Sequence, residues 1–298
     1  MVVVVFAAVL AAPASPHRRN AGIVWAEANA IYGANADGSG RHKITAYYGR
    51  YLPDNFSSPV WSPSGRVLAY STCGSDTCFI QLFGPSGRKR TLSLDKLQAE
   101  TSPTWSPDGQ ELAFTSSRGS PIAGEGISAV SVVSRRMRRI TPPKVLRMDE
   151  DPSWSPDGTT IAFVRFVSKR VIYPFLTGAP VIYLVGADGR RLRWLTRGES
   201  PSWSPDGRRL VFAWGDGIYT IEPSGHGRTR IARVRGTKGD LLQPRWSPDG
   251  RKILYTTTPY GRHPGIWVMD ADGSDRKRVV TIRGFYRDNA LFGANWKP

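Results

Sequence analysis

The chain has 298 residues, 40% hydrophobic and 22% charged, which supplies the core of one large domain or two ordinary ones and excludes a disordered chain. Lys+Arg 41 against Asp+Glu 24 leaves a net charge of +17, a balance suited to acidic partners: nucleic acid, anionic lipid headgroups, acidic polysaccharide or an acidic protein. The Arg is scattered along the whole chain with no compact basic block, which suits solvated surfaces and argues against a nucleic-acid groove.

Residues 1–14 form an apolar run that ends in Ala12-Pro13-Ala14, the h-region and small-x-small cleavage pattern of a secretory signal, although no basic residue precedes it. The run is too short to span a bilayer as a mature helix, and no later stretch approaches that length. No Cys follows it, so a lipoprotein anchor is not expected. Residues 1–20 are therefore expected to be a signal peptide and short leader, and 21–298 a single domain of an exported protein: periplasmic, envelope-bound or extracellular.

Ile23-Val24-Trp25-Ala26, Ile31-Tyr32 with the turn Ala36-Asp37-Gly38, and Ile44-Thr45 read as three short strands. Pro59-Val60-Trp61-Ser62-Pro63-Ser64-Gly65 then opens a repeat and is followed by Leu68-Ala69-Tyr70. Cys73 and Cys78, the two cysteines of the chain, follow it; in an exported protein so close a pair suggests a disulfide stapling a hairpin, and a metal site would need further ligands. Further copies stand at Pro103-Thr104-Trp105-Ser106-Pro107-Asp108-Gly109, at Pro152 to Gly158, at Pro201 to Gly207 and at Pro244 to Gly250, and Asn295-Trp296-Lys297-Pro298 is a truncated copy. Arg135, Arg136, Arg138 and Arg139 lie in a strand-like stretch expected at an outer sheet edge, where charge discourages edge pairing.

The tryptophans of these copies stand at 61, 105, 154, 203, 246 and 296. A period in the forties, rich in β-branched and aromatic residues and in Gly and Pro, is the mark of a propeller and not of a helical solenoid. Pro-Asp-Gly supplies a turn, the Leu-Ala-Phe type run a buried strand, and the Trp packs between units with its N–H on a carbonyl. Second hairpins, such as Ile182 to Gly189 and Ile266 to Gly273, bring each unit to four strands. The N-terminal strands lack a first strand and the Trp296 copy supplies one, so the expected fold is all-β: a six-bladed β-propeller of four-stranded blades, closed by pairing of the N- and C-terminal strands in one shared blade.

Trp-Ser-Pro-Asp-Gly with Leu-Ala-Phe, followed by Ile266-Trp267-Val268-Met269-Asp270-Ala271-Asp272-Gly273, closely resembles the repeats of the C-terminal propeller of the TolB family. The resemblance covers nearly all of the chain after residue 20. It implies a periplasmic protein-binding scaffold linked to a peptidoglycan-associated lipoprotein. The α/β domain that precedes the propeller in TolB, and the N-terminal segment with which TolB reaches its membrane partner, are not matched by any residues here.

A serine hydrolase would need a G-x-S-x-G elbow, which the sequence lacks. His17, His42, His226 and His263 fall in separate places, as solvated loop histidines do, and Asp270 to Asp275 resembles the start of a calcium loop but lacks its distal Glu, so a plain hairpin turn suffices. No cofactor and no metal is expected.

Connections into the Trp-bearing strands should share one face, joined by the insertion 165–180. Tyr47, Tyr48, Arg50, Tyr51, Arg147, Lys169, Arg170, Tyr173, Arg197, Arg235, Lys238, Tyr286 and Arg287 make that face a candidate for partner binding, since Tyr and Arg suit interface hot spots; ordinary solvated loops are the alternative. Asp54, Glu100, Glu150, Glu199, Asp240 and Asp288 precede the tryptophans and would form either an acidic ring at the channel mouth or a set of local turn caps. The expected function is a monomeric scaffold for a protein or an anionic envelope ligand. The alternative is an enzyme (lyase, glycosidase or peptidase-like hydrolase) with its site in the central channel, which convergent carboxylates would favour.

Overall fold

The computed structural model describes residues 22–27, 30–46, 55–74, 77–92, 98–118, 124–167, 178–234, 242–257, 265–281 and 292–298. Among them are twenty-four strands in six four-stranded antiparallel sheets. Blade 1 sets β24 (Phe292–Lys297) beside β1 (Gly22–Glu27), β2 (Ala30–Asn35) and β3 (His42–Ala46). Blade 2 is β4 (Asn55–Trp61), β5 (Leu68–Cys73), β6 (Cys78–Phe83) and β7 (Lys89–Thr91); blade 3 is β8 (Gln98–Trp105), β9 (Glu111–Arg118), β10 (Glu125–Ser131) and β11 (Met137–Arg139). Blade 4 is β12 (Arg147–Trp154), β13 (Thr160–Val167), β14 (Val181–Gly186) and β15 (Arg193–Arg197). Blade 5 is β16 (Glu199–Trp203), β17 (Leu210–Trp214), β18 (Gly217–Ile221) and β19 (Thr229–Arg233), and blade 6 is β20 (Arg245–Trp246), β21 (Lys252–Thr257), β22 (Gly265–Asp270) and β23 (Lys277–Thr281). The expected closure is present: Ile23 pairs with Trp296 and Trp25 with Ala294. Among the described residues no helix is long and apolar enough to cross a membrane.

The core is six wedges, one at each blade interface. Trp154 packs with Ala113, Ile127 and Ile140 of blade 3 and with Ile161 and Phe163 of its own blade. Trp105 does the same between blades 2 and 3, and Trp296 between blades 6 and 1. The indole N–H reaches a carbonyl across the interface in two copies, Trp105 Nε1 donating to Val60 O at 3.2 Å and Trp296 Nε1 to Arg245 O at 3.0 Å, whereas the N–H groups of Trp154, Trp203 and Trp246 are buried without a hydrogen-bond partner among the described residues, against the expectation from sequence.

The Trp-Ser-Pro-Asp-Gly turns are locked by the Ser and Asp of the motif. In blade 3 the Ser106 hydroxyl donates to Asp108 Oδ1 at 2.6 Å and accepts from Glu111 N at 2.9 Å, while Asp108 Oδ1 also accepts from Gln110 N at 3.0 Å. The bonds recur around Ser204 and Asp206 and around Ser247 and Asp249. The serine hydroxyl holds the Asp108, Asp157 and Asp206 carboxyls below their usual range. Glycine ends the turn because φ there is left-handed, +71° at Gly158, where a Cβ would also meet the Pro107 ring of the preceding blade at 3.5 Å. Asp270 to Asp275 is a turn of the same kind at the other hairpin: Asp272 Oδ1 accepts from Ser274 N at 2.9 Å.

Some of the arginines cover aromatic pairs. Phe163 stacks on Tyr183, Phe212 on Tyr219, Trp25 on Tyr32 and Tyr255 on Trp267. Arg165 lies 4.7 Å from the Tyr183 centroid, Arg228 5.0 Å from that of Tyr219 and Arg41 4.5 Å from that of Tyr32. Cys73 and Cys78 form the expected disulfide, as register partners on β5 and β6, and Arg139 lies on β11, an outer strand.

Trp154→Ala should open an inter-blade cavity and cost about 3–5 kcal/mol, and Asp157→Ala, which removes only the turn's acceptor, about 1 kcal/mol. Urea unfolding of the two variants checks the ranking; equal losses would mean that the turn and not the wedge sets blade stability.

Candidate functional site

Each inner strand runs from the face that receives the connections between blades, the loop face, to the face of the Ser-Asp turns, the turn face. Three residues before each tryptophan the backbone turns left-handed: Ser58 (φ 50°), Ser102 (52°), Asp151 (51°), Ser200 (51°), Gln243 (23°) and Gly293 (69°). In five of the six blades the strand register slips at this residue, which marks it as a β-bulge. Proline follows in five copies (Pro59, Pro103, Pro152, Pro201 and Pro244), and a bulge tolerates its missing N–H. Left-handed φ is costly for residues other than glycine, and strain of this kind gathers at sites that do something.

Five of these six positions, Ser58, Ser102, Asp151, Gln243 and Gly293, line a central cavity of about 230 Å³, and blade 5 contributes Pro201 and Ser202 beside Ser200. Asp151 bridges its two neighbours: its Oδ1 accepts from Ser102 Oγ at 3.0 Å and its Oδ2 from Ser200 Oγ at 3.1 Å. Arg245 Nη1 donates to Ser200 O at 3.2 Å, so the guanidinium also lines the channel; burial opposes its charge and the Asp151 carboxylate supports it. Gln243 Oε1 accepts from Gly293 N at 3.1 Å. Only glycine fits at 293, since a Cβ there would lie 2.7 Å from Ser58 Cα.

Towards the loop face a carboxyl pair spans blades 3 and 4. Glu150 on β12 hydrogen-bonds Glu125 at the start of β10. Burial, and then the charge of Glu125, push Glu150 up to about 8, and burial also raises Glu125. Two carboxyls so placed titrate as a pair. Burial and the charge of Asp151 raise Glu199 on β16 as well. One residue before Glu150 the scaffold uses a different acid: Asp149 is fully buried and takes a bidentate bond from Arg165, at 2.6 and 2.8 Å.

Of the acids named from sequence, Glu100, Glu150 and Glu199 lie on inner strands of blades 3, 4 and 5, Glu100 being buried. Asp54, Asp240 and Asp288 lie outside the described residues, as do Tyr47, Tyr48, Arg50, Tyr51, Lys169, Arg170, Tyr173, Arg235, Lys238, Tyr286 and Arg287. Arg197 is exposed at the end of β15. Arg147 is turned into the scaffold, donating to Pro142 O with its Nε 3.6 Å from Asp149. His42 and His226 are exposed, and His17 and His263 lie outside the described residues. Among the described residues no group of three His, Cys, Asp or Glu could hold a metal ion. Sequence reasoning missed Asp151, Arg245 and Glu125. For Asp151 the signal was available, because a small or polar residue stands three before every repeat tryptophan.

The family described as the TolB beta propeller domain matches residues 26–290. Among solved structures, TolB from Acinetobacter baumannii is similar at 18% identity and a TM-score of 0.72, over 95% of this chain and 68% of that one. A putative TolB from Agrobacterium tumefaciens is similar at 20% identity and 0.65, over 92% and 90%. A chain of a nidogen/laminin complex shares the fold at 12% identity and 0.68, over 93% and 98%. A search of curated proteins gives no match.

A free glutamate loses its proton near pH 4.5, whereas Glu150 keeps its proton until about 8, so the folded state holds an extra proton between those values and loses stability as pH rises through them. Glu150→Gln should therefore raise the Tm at pH 8 and leave it little changed at pH 4.5. A difference independent of pH in thermal melts would show that Glu150 is ionised in the fold.

Proposed function

From the premise that the chain belongs to the TolB β-propeller domain family, we propose that it is an exported scaffold that holds a cell-envelope protein on its loop face, around the channel mouth. The observation that carries this reading is the asymmetry of the two faces. On the turn face, copy after copy of Ser-Pro-Asp-Gly is fixed by the same bonds. On the loop face the strand ends are joined by segments that differ in length and sequence from blade to blade, such as 47–54, 235–241 and 282–291. A rigid ring that gathers its long, dissimilar connections on one side has that side free to recognise a partner.

The charge distribution supports the same face. Asp151 lines the cavity, Glu150 and Glu199 stand on inner strands, and the connecting segments are rich in Arg, Lys and Tyr. Such a mouth suits a partner with a basic tip and acidic shoulders, which it would orient before contact. The disulfide fits an oxidising compartment outside the cytoplasm. A protein complex among the fold neighbours is compatible with the reading.

One observation favours a second reading. The Glu125–Glu150 pair holds a proton near neutral pH, as a general acid does, and would serve an enzyme acting on polysaccharide or peptide at the channel mouth.

The test is capture from envelope extract by the native chain, by Tyr47→Ala/Tyr51→Ala/Arg197→Glu and by the turn-face variant Arg208→Glu. One protein retained by the native chain and by Arg208→Glu, and lost with the loop-face variant, is the expected outcome. Retention by all three would overturn the face, and capture of nothing would overturn the scaffold. Hydrolysis of envelope polymers abolished by Glu150→Gln would establish the second reading instead.

A further inference from the structure

We infer that the outer edge of blade 4 is a docking surface for an anionic lipid bilayer. The repeat itself shows that this edge departs from a rule. On each third strand one position packs on the buried inner aromatic, and its partner on the fourth strand is fixed by register. That partner is Lys43 in blade 1, Thr91 in blade 2, Arg139 in blade 3, Arg230 in blade 5 and Arg278 in blade 6. In blade 4 it is Trp194, opposite Tyr183.

Nothing in the blade calls for a tryptophan there. Arg165 already covers Tyr183 from the second strand, and the indole is 59% exposed. Leu192, two residues earlier, is 46% exposed. Exposed Arg190, Arg191 and Arg193 surround the pair, and Arg193 Nη2 leans across to Pro223 O of blade 5 at 2.6 Å. Arg139 of the neighbouring blade edge is exposed beside this turn, 3.7 Å separating its carbonyl oxygen from a Cβ placed on Gly189.

An indole and a leucine ringed by guanidiniums match a bilayer interface. The ring sits at the headgroup level, the aliphatic side chain enters the acyl boundary, and each cation near an anionic surface adds about 1 kcal/mol. Leu192 decides for lipid over a hydrated acidic polymer, which offers an aliphatic side chain nothing. The net charge of +17 adds long-range attraction of the right sign. The edge lies on the outer wall of the ring, away from the channel mouth, so lipid and a loop-face partner could be held together.

The experiment is co-sedimentation of the full chain with phosphatidylcholine vesicles, with and without phosphatidylglycerol. Binding is expected on the anionic vesicles only, weakened about tenfold by Trp194→Ala and further by Leu192→Ala/Trp194→Ala. Lys43→Glu, on the exposed edge of blade 1, should have little effect. Unchanged melting temperatures would confirm that these exposed substitutions leave the fold intact. No binding to anionic vesicles overturns the inference. So does equal weakening by Lys43→Glu and Trp194→Ala, which would reduce the effect to overall charge, and so does Trp194-dependent capture by soluble dextran sulfate in place of vesicles.

Discussion

The pairing of β24 with β1 is the contact on which the rest of the ring depends. A four-stranded blade exposes two apolar faces and cannot bury either alone. Here every wedge of core lies between two blades, and blade 1, built from both ends of the chain, supplies one side of two wedges. Trp296 on β24 fills one of them and pairs with Ile23. Without that strand, β1 would present an open edge and the wedge against blade 6 would lose its tryptophan. Closure therefore couples residues that are almost the whole chain apart, and the described blades cannot be assembled independently.

What could be read from the sequence was whatever is local and repeated. Trp-Ser-Pro-Asp-Gly carries its own hydrogen bonds within five residues, so Ser106, Asp108 and Gly109 declare the turn wherever they occur. The missing first strand at one end and the spare one at the other were enough to count six blades. The channel was harder. Acids precede the tryptophans at unequal distances along the chain, but a bulge makes one position, three residues before each tryptophan, turn inwards. Asp151 holds that position in blade 4, with its two neighbours bonded to it from other blades. Glu125 was invisible for another reason: it lies on a third strand, twenty-five residues before Glu150, and only the contact between blades brings them together.

The basic composition was legible as a sum but not as a distribution. Scattered arginines suggested a solvated surface. Several instead lie across stacked aromatic pairs, where a planar guanidinium covers apolar area that lysine would leave open. Arg165 does this and also neutralises Asp149, which has no contact with water. Part of the charge is thus committed to the scaffold, and the remainder matters more for where it is left than for its total.

That remainder gives the molecule an electrostatic order. Carboxyls gather where blades 3, 4 and 5 meet: burial and the charges of Glu125 and Asp151 raise Glu150, burial and the charge of Asp151 raise Glu199, and exposed arginines stand on the outer wall. Like charges so close in buried surroundings raise the energy of the fold. A basic group from a ligand would relieve this, and so would a shared proton. The ring keeps that repulsion because its geometry is set elsewhere, by the interblade wedges and by the locked turns of the opposite face. A scaffold whose stability rests on its wedges and turns can hold carboxyls of like charge close together without depending on them.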